Sequence, residues 1–280
     1  MTPLIKGLMW FIPSLVVLIL ISLKVFDEDK RVDLSGLENS LWVSRGGLFI
    51  LFLVFLGVKT ENTIKDFTAL GGFKATDWFY HFEGVEHIVF LQTHLDNFII
   101  IHISSIFYTL GLTFFVVFTP IFFLARHEKD NFMFFSRALL VNYFFILPGY
   151  FLLHVTVTSL YAPEVEPIMY SNDQYYAILY LINRLTNCFP SGHISISLTI
   201  TLMALFKAKL KRFGVFGIIF TISTGFVIIY LGVHWLTDIA AGIVIGSFTY
   251  WAVKNGKVDF IFDPIIDFFE RKTEHLRDRS

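Results

Sequence analysis

The sequence predicts an all-α fold, a polytopic transmembrane helix bundle of about six to seven spans, on three observations. Hydrophobic residues make up 55% of the 280 and charged residues only 16%, with 34 Phe, a composition suited to a chain solvated by lipid. Apolar runs near the ~20 residues that cross a bilayer core recur from end to end. The formal net charge is −1, which leaves no electrostatic footprint for a nucleic-acid partner.

The first run covers residues 8–26. It lacks a small-residue cleavage pattern and charges follow it directly, so it is expected as a membrane helix and not a removed signal peptide. The second, 41–58, carries Arg45 near one end, where the aliphatic stem can lie along apolar surface while the head reaches the interface. Residues 59–97 set Phe67, Phe73, Trp78, Phe79, Tyr80, Phe82 and Phe90 among charges and suit an interfacial segment. Runs at 98–125, 132–161, 194–208, 213–233 and 236–253 bring the expected spans to seven. The tail, 259–280, alternates apolar and charged residues as a surface-lying helix does. Cys188 is the sole cysteine, so no intramolecular disulfide forms, and no N-x-Ser/Thr sequon is present.

Basic loops give an orientation. Arg126, His127 and Lys129 between the third and fourth runs, and Lys207, Lys209, Lys211 and Arg212 between the fifth and sixth, fall on one side by alternation, which makes that side cytoplasmic. Lys254 and Lys257 put the start of the tail there too. Residues 162–190 and the turn at 232–235 then lie at the opposite face.

Two histidines stand out at that face. His193 closes Pro190-Ser191-Gly192-His193, and His234 follows 41 positions later, with Asp238 four residues beyond it. Side chains at i and i+4 share a helix face, so Asp238 can hold one imidazole nitrogen of His234 and leave the other free to attack. The Ser-Gly pair would open a helix whose first N–H groups lack intrahelical partners, a site for an anion such as phosphate. Together they describe phosphoester chemistry.

Phe189-Pro190-Ser191-Gly192-His193, followed by Gly232-Val233-His234-Trp235-Leu236-Thr237-Asp238 and Gly242, resembles the second and third motifs of the type 2 phosphatidic acid phosphatase (PAP2) superfamily, over roughly residues 98–253. That superfamily includes lipid phosphatases, undecaprenyl pyrophosphate phosphatases and inositol phosphorylceramide synthases. The resemblance implies His234 as a nucleophile forming a phosphohistidine, Asp238 as its orienter and His193 as the acid that protonates the leaving oxygen. Ser191 and the amide of Gly192 would hold the phosphate. It divides the chain into N-terminal membrane helices with an interfacial segment (1–97), a catalytic membrane domain (98–254) and a charged cytoplasmic tail (255–280).

The chain departs from the superfamily pattern. A Ser-Arg pair is usual seven and six residues before the nucleophile, where Val227 and Ile228 stand, and the Lys-x6-Arg-Pro motif is missing. In this it resembles the branch containing the inositol phosphorylceramide synthases. A phosphoryl transition state still needs cationic or N–H partners in a dry site. Arg184, nine residues before His193, is either that cation or a solvated loop charge, and Lys59, Lys65 or Lys74 from the preceding segment is another source.

No cofactor and no metal is expected, because two histidines and a carboxylate suffice for nucleophilic and acid–base roles. Glu164, Glu166 and Asp173 suit a solvated loop better than an ion site. Of the polar residues inside runs, Arg137 is expected to snorkel, and His154, about two turns from the outer end, to be able to line the pocket. His94, Asp96 and His102 are explained as well by hydrogen bonds between helices as by a role at the site. Tyr170, Tyr175, Tyr176 and Tyr180 sit at headgroup level, in a loop expected to form, with residues 59–97, a roof that selects the headgroup.

The expected activity is hydrolysis of a membrane lipid phosphoester at the membrane face turned away from the cytoplasm, in the plasma membrane or an equivalent one. Transfer of a phospho-headgroup between lipids is the alternative. A catalytically silent lipid-binding protein is the third reading, against which the three costly polar groups speak.

Overall fold

A computed structural model describes residues 2–68, 73–182 and 187–275. In chain order the elements are α1 (Pro3–Val25), α2 (Leu37–Val43), α3 (Arg45–Thr68), β1 (Phe73–Lys74), α4 (Thr76–Glu83), α5 (Glu86–His94), α6 (Phe98–Ala125), α7 (Lys129–Leu152) and β2 (Leu153–His154). They continue through α8 (Thr158–Tyr161), α9 (Asp173–Ile182), α10 (Gly192–Leu202), α11 (Lys211–Tyr230), α12 (Leu236–Lys254) and α13 (Asp259–Thr273).

Among the described residues, α1, α6, α7, α11 and α12 are long and apolar enough to cross a bilayer. The protein is an integral membrane protein, mostly helical. The expected run at 41–58 is broken: α2 meets α3 at a 73° bend, the shape of a broken span or of a re-entrant loop. The expected run at 194–208 is an apolar helix over Gly192–Lys207, shorter than the other five: α10 runs on as a π-helical turn over Met203–Lys207. Helix α10 packs against α12, α11, α7 and α6. Its Ser195, Ser197, Thr199 and Thr201 are buried and bond mostly to carbonyls one turn back. The fourth run ends at Leu152 instead of residue 161, because residues 153–154 leave the helix to pair in parallel with residues 73–74.

One end of the bundle gathers the charges. Buried Arg126, at the end of α6, binds Asp27 and Asp29 at 2.6 Å each and Glu128 at 2.9 Å. The backbone N–H of Arg212 at the start of α11 donates to Glu28 at 2.5 Å. Arg137, expected to snorkel, pairs with Asp259 (2.9 Å) and Asp263 (2.6 Å) of α13, and Arg45 reaches Thr273 (3.0 Å) and Glu274 (2.5 Å) of the same helix. Helix α13 is amphipathic: Phe262 and Ile266 are buried while Phe260, Ile261 and Phe268 are exposed, as a helix at an interface requires.

A phenylalanine-rich core that includes Phe115, Phe118, Phe122, Phe132, Phe135 and Phe213 fills the middle of the bundle. At the end opposite the charges, α4, α5 and the 155–165 segment close around fully buried Trp235, whose indole N–H donates to Thr156 O at 2.9 Å. Gln92 of α5 ties the expected roof together: its amide donates to Glu166 O (3.1 Å) and Tyr230 O (3.0 Å) and accepts from Glu166 N (2.9 Å). Trp78 and Phe82 stack on each other and remain exposed beside it.

Candidate active site

Helices α10 and α12 begin side by side at this end, and their N-termini build the site. A cis Phe189–Pro190 bond leads into Ser191, which caps α10 with its hydroxyl accepting from Ile194 N at 3.4 Å. Ser191 N donates to Asp238 O at 3.1 Å, joining the two helix starts directly. The approach depends on glycine. A Cβ on Gly242 would lie 2.8 Å from Ser191 O, and one on Gly246 2.6 Å from Ser195 O. His234 is delivered by a tight turn in which Gly232 takes φ +65°, and a Cβ there would also strike Val165 at 2.7 Å.

The three principal sequence candidates come together. His234 Nδ1 lies 3.0 Å from Asp238 Oδ2, with the two residues 2% and 0% exposed, so the second ring nitrogen, Nε2, is not committed to that carboxylate. The rings of His193 and His234 meet edge to face, with centroids 6.0 Å apart and planes at 68°. Tyr108 of α6 stacks on His193 at 4.5 Å between ring centroids and fixes its plane. Asp238 Oδ2 also accepts from Trp235 N at 2.8 Å, the half of a capping box in which the third helical residue reaches back to the N-cap.

Beside His193 lies a cavity of about 120 Å³ between α3, α6 and α7. Its polar wall includes Glu61, Tyr108, Tyr143, Tyr150, Asn187 and His193, and its remaining lining is largely aliphatic. Glu61 is buried and accepts from the Asn187 side chain at 3.1 Å. Gly192 belongs to the lining, and a Cβ there would come 3.1 Å from Tyr150 Oη.

The remaining candidates are placed as follows. Arg184 lies outside the described residues, as does the side chain of Lys65; Lys59 and Lys74 are exposed. His154 sits in β2, half-buried, and is not among the residues lining the cavity; its carbonyl accepts from Ala75 N (3.2 Å) and Thr76 Oγ1 (3.3 Å). Val227 and Ile228 are buried aliphatics packed with Tyr108 and Ile194. His94 and His102 each bond a carbonyl of their own helix, at 2.8 and 2.9 Å, where bonds between helices had been expected as one explanation.

Sequence reasoning missed Cys188, Glu61, Tyr108, Asn187 and Glu83. Cys188 donates to Asp238 Oδ2 at 2.9 Å, and Glu83 of α4 accepts from Thr237 N at 3.3 Å, at the start of the helix that carries Asp238. Burial, opposed by bonds from the start of α12 and reinforced by the nearby Asp238 charge, raises the Glu83 carboxyl above the ordinary value. Only Glu61 left a local signal, a carboxylate just past an apolar run. Cys188, His234 and Asp238 bring metal-ligand atom types within 4.8 Å of one another. The three are joined by hydrogen bonds: Cys188 donates to Asp238 Oδ2 at 2.9 Å, His234 Nδ1 lies 3.0 Å from the same oxygen, and Cys188 Sγ lies 3.5 Å from His234 Nδ1.

Residues 156–260 match the family model of the PAP2 superfamily, a span that holds both histidines and the aspartate and begins after α7. No curated protein and no solved structure matches the chain.

Proposed function

We propose that the PAP2 superfamily domain at residues 156–260 makes this integral membrane protein a lipid phosphatase, working through a phosphohistidine at the membrane face turned away from the cytoplasm. The observation that carries the proposal is the buried Asp238–His234 pair, 3.0 Å apart, with the His193 ring edge to face with His234 at 6.0 Å between centroids. Asp238 holds the proton on Nδ1, and Nε2 attacks phosphorus. A P–N bond forms as the P–O bond to the leaving group breaks, and His193 gives its proton to the departing oxygen. Water then attacks the phosphohistidine, His193 takes a proton from it, and the P–N bond breaks to release phosphate and neutral His234. Ser191 and the Gly192 amide are the proposed phosphate partners, at the N-terminus of α10 where the first N–H groups lack intrahelical acceptors, and Arg184 is the cation proposed from the sequence.

Phospho-headgroup transfer is the second reading, and one observation favours it. The cavity beside His193 presents carboxylate, amide and phenol groups on the side where the leaving alcohol departs, and a second alcohol seated there would intercept the phosphohistidine before water.

The deciding experiment supplies purified protein with phosphatidate, polyprenyl pyrophosphate and phosphatidylinositol together with a free lipid alcohol, beside a His234→Ala control. Phosphate release that disappears in the control supports hydrolysis. A new phosphorylated lipid without free phosphate means transfer, and no His234-dependent product from any donor overturns both.

A further inference from the structure

The structure assigns a positioning role to Cys188: its thiol is a third hydrogen-bond donor on the Asp238 oxygen that holds His234, and it sets how strongly that carboxylate grips the imidazole proton. The inference rests on the proposed nucleophilic role of His234. Asp238 Oδ2 accepts from Trp235 N at 2.8 Å, from Cys188 Sγ at 2.9 Å and from His234 Nδ1 at 3.0 Å, whereas Oδ1 is buried without a hydrogen-bond partner among the described residues. The charge of the carboxylate is therefore satisfied on one oxygen only, and each donor there counts for more than it would on a fully bonded group.

Cys188 is 1% exposed. Burial and the adjacent Asp238 charge push its thiol well above the ordinary value, so it remains protonated and able to donate. Its single proton has a second acceptor, Val233 O at 3.3 Å, but the carboxylate is both closer and charged. The titratable groups facing His234 are Asp238 from α12, Cys188 from the segment before α10, His193 from α10, and Glu83 of α4 at the start of α12.

Three donors spread the charge of Asp238 and weaken its hold on the imidazole proton. Removing one makes the carboxylate more basic, and the protonated imidazole is then favoured. Because only neutral His234 attacks, the acid limb of kcat/KM must move to higher pH. Cys188→Ala is expected to move it up by roughly half a unit to one unit, with little change on the alkaline side. Cys188→Ser keeps a donor on a shorter bond and is expected to fall between Ala and wild type.

Two readouts are needed, the pH profile of turnover and the NMR titration of isotope-labelled His234, assigned by difference from His234→Asn, in the full chain in detergent micelles. An upward shift in both, in the order Ala, Ser, wild type, is the expected result. An unchanged or lowered titration of His234 in Cys188→Ala overturns the assignment, whatever the activity. If Cys188→Ala does not fold, the smaller rise in Cys188→Ser carries the test, and no rise there overturns it. Absence of turnover by the wild type would defeat the phosphatase proposal while the NMR titration still decides the role of Cys188.

Discussion

Individual side chains differ sharply in what their loss should do. Asp238→Asn keeps the volume but turns an acceptor of three bonds into an amide that accepts fewer and must find partners for its own N–H groups. A fall in kcat of about 10³-fold or more is expected, with KM moving far less, since the tautomer and orientation of the nucleophile are lost. His193→Ala should depend on the substrate: severe for an alkyl phosphoester and mild for an aryl phosphate whose leaving oxygen needs no proton. Equal losses on both substrates would show that His193 is not the acid. Glu83 makes a separate prediction about stability. Its carboxyl is raised in the folded state, chiefly by burial, so the folded protein binds this proton more tightly than the unfolded chain, and stability falls as pH rises through the window above the ordinary 4.5. Glu83→Gln should flatten that part of a thermal-denaturation profile measured against pH.

The same residues mark how far sequence reasoning reaches. His193, His234 and Asp238 were legible because each belongs to a short motif whose spacing already implies geometry. Tyr108 and Glu61 come from helices well upstream of the motifs, and nothing local in either segment says that α6 and α3 will wall the cavity beside His193. Cys188 was seen only as an unpaired cysteine, because its bond to Asp238 crosses 50 positions of chain.

Among the elements, α10 and α12 decide the site, and two glycines one turn apart decide how closely they approach. Backbone carbonyls of α10 would sit within 3 Å of any Cβ at Gly242 or Gly246. Gly246→Ala, a turn deeper than the site, should cost about 1–3 kcal/mol of stability through overpacking. Gly242→Ala, against Ser191 itself, should in addition lower kcat by separating Ser191 from Asp238. Both effects are read from thermal unfolding in detergent alongside steady-state rates. Asn142 of α7 links the same helices, bonding Thr199 at 3.0 Å and Ser195 at 2.9 Å, and has Thr249 at 3.5 Å. Hydropathy located the long helices well but overran the end of α7, where residues 153–154 turn aside into a strand pair. Over residues 194–208 it marked a helix that other helices enclose, so the apolar content there serves packing inside the bundle.

The whole bundle has two unlike ends, ion-paired at one and aromatic with the candidate site at the other. That polarity matches the loop alternation expected from the basic residues, and the direction across the membrane is open to a direct test. Cys188 is buried, so introduced cysteines report without background. Glu166→Cys should react with an impermeant maleimide on intact cells, and Lys211→Cys only after permeabilisation; the opposite pattern would invert the orientation.

The salt bridges of Arg45, Arg126 and Arg137 have a mechanical consequence as well. Helices pinned by ion pairs at one end and held at the other by packing and hydrogen bonds, without ion pairs between helices among the described residues, yield unequally under thermal force, as the arms of tweezers do, so a lipid pushing between them has to part them near the histidines. Compliance at the reactive end is then set from the far side of the membrane. Neutralising Arg126 should loosen the hinge, leave the chemistry intact and accelerate whichever step, substrate entry or product escape, needs the arms to spread; hydrogen exchange at α4, α5 and α9 would register that slackening.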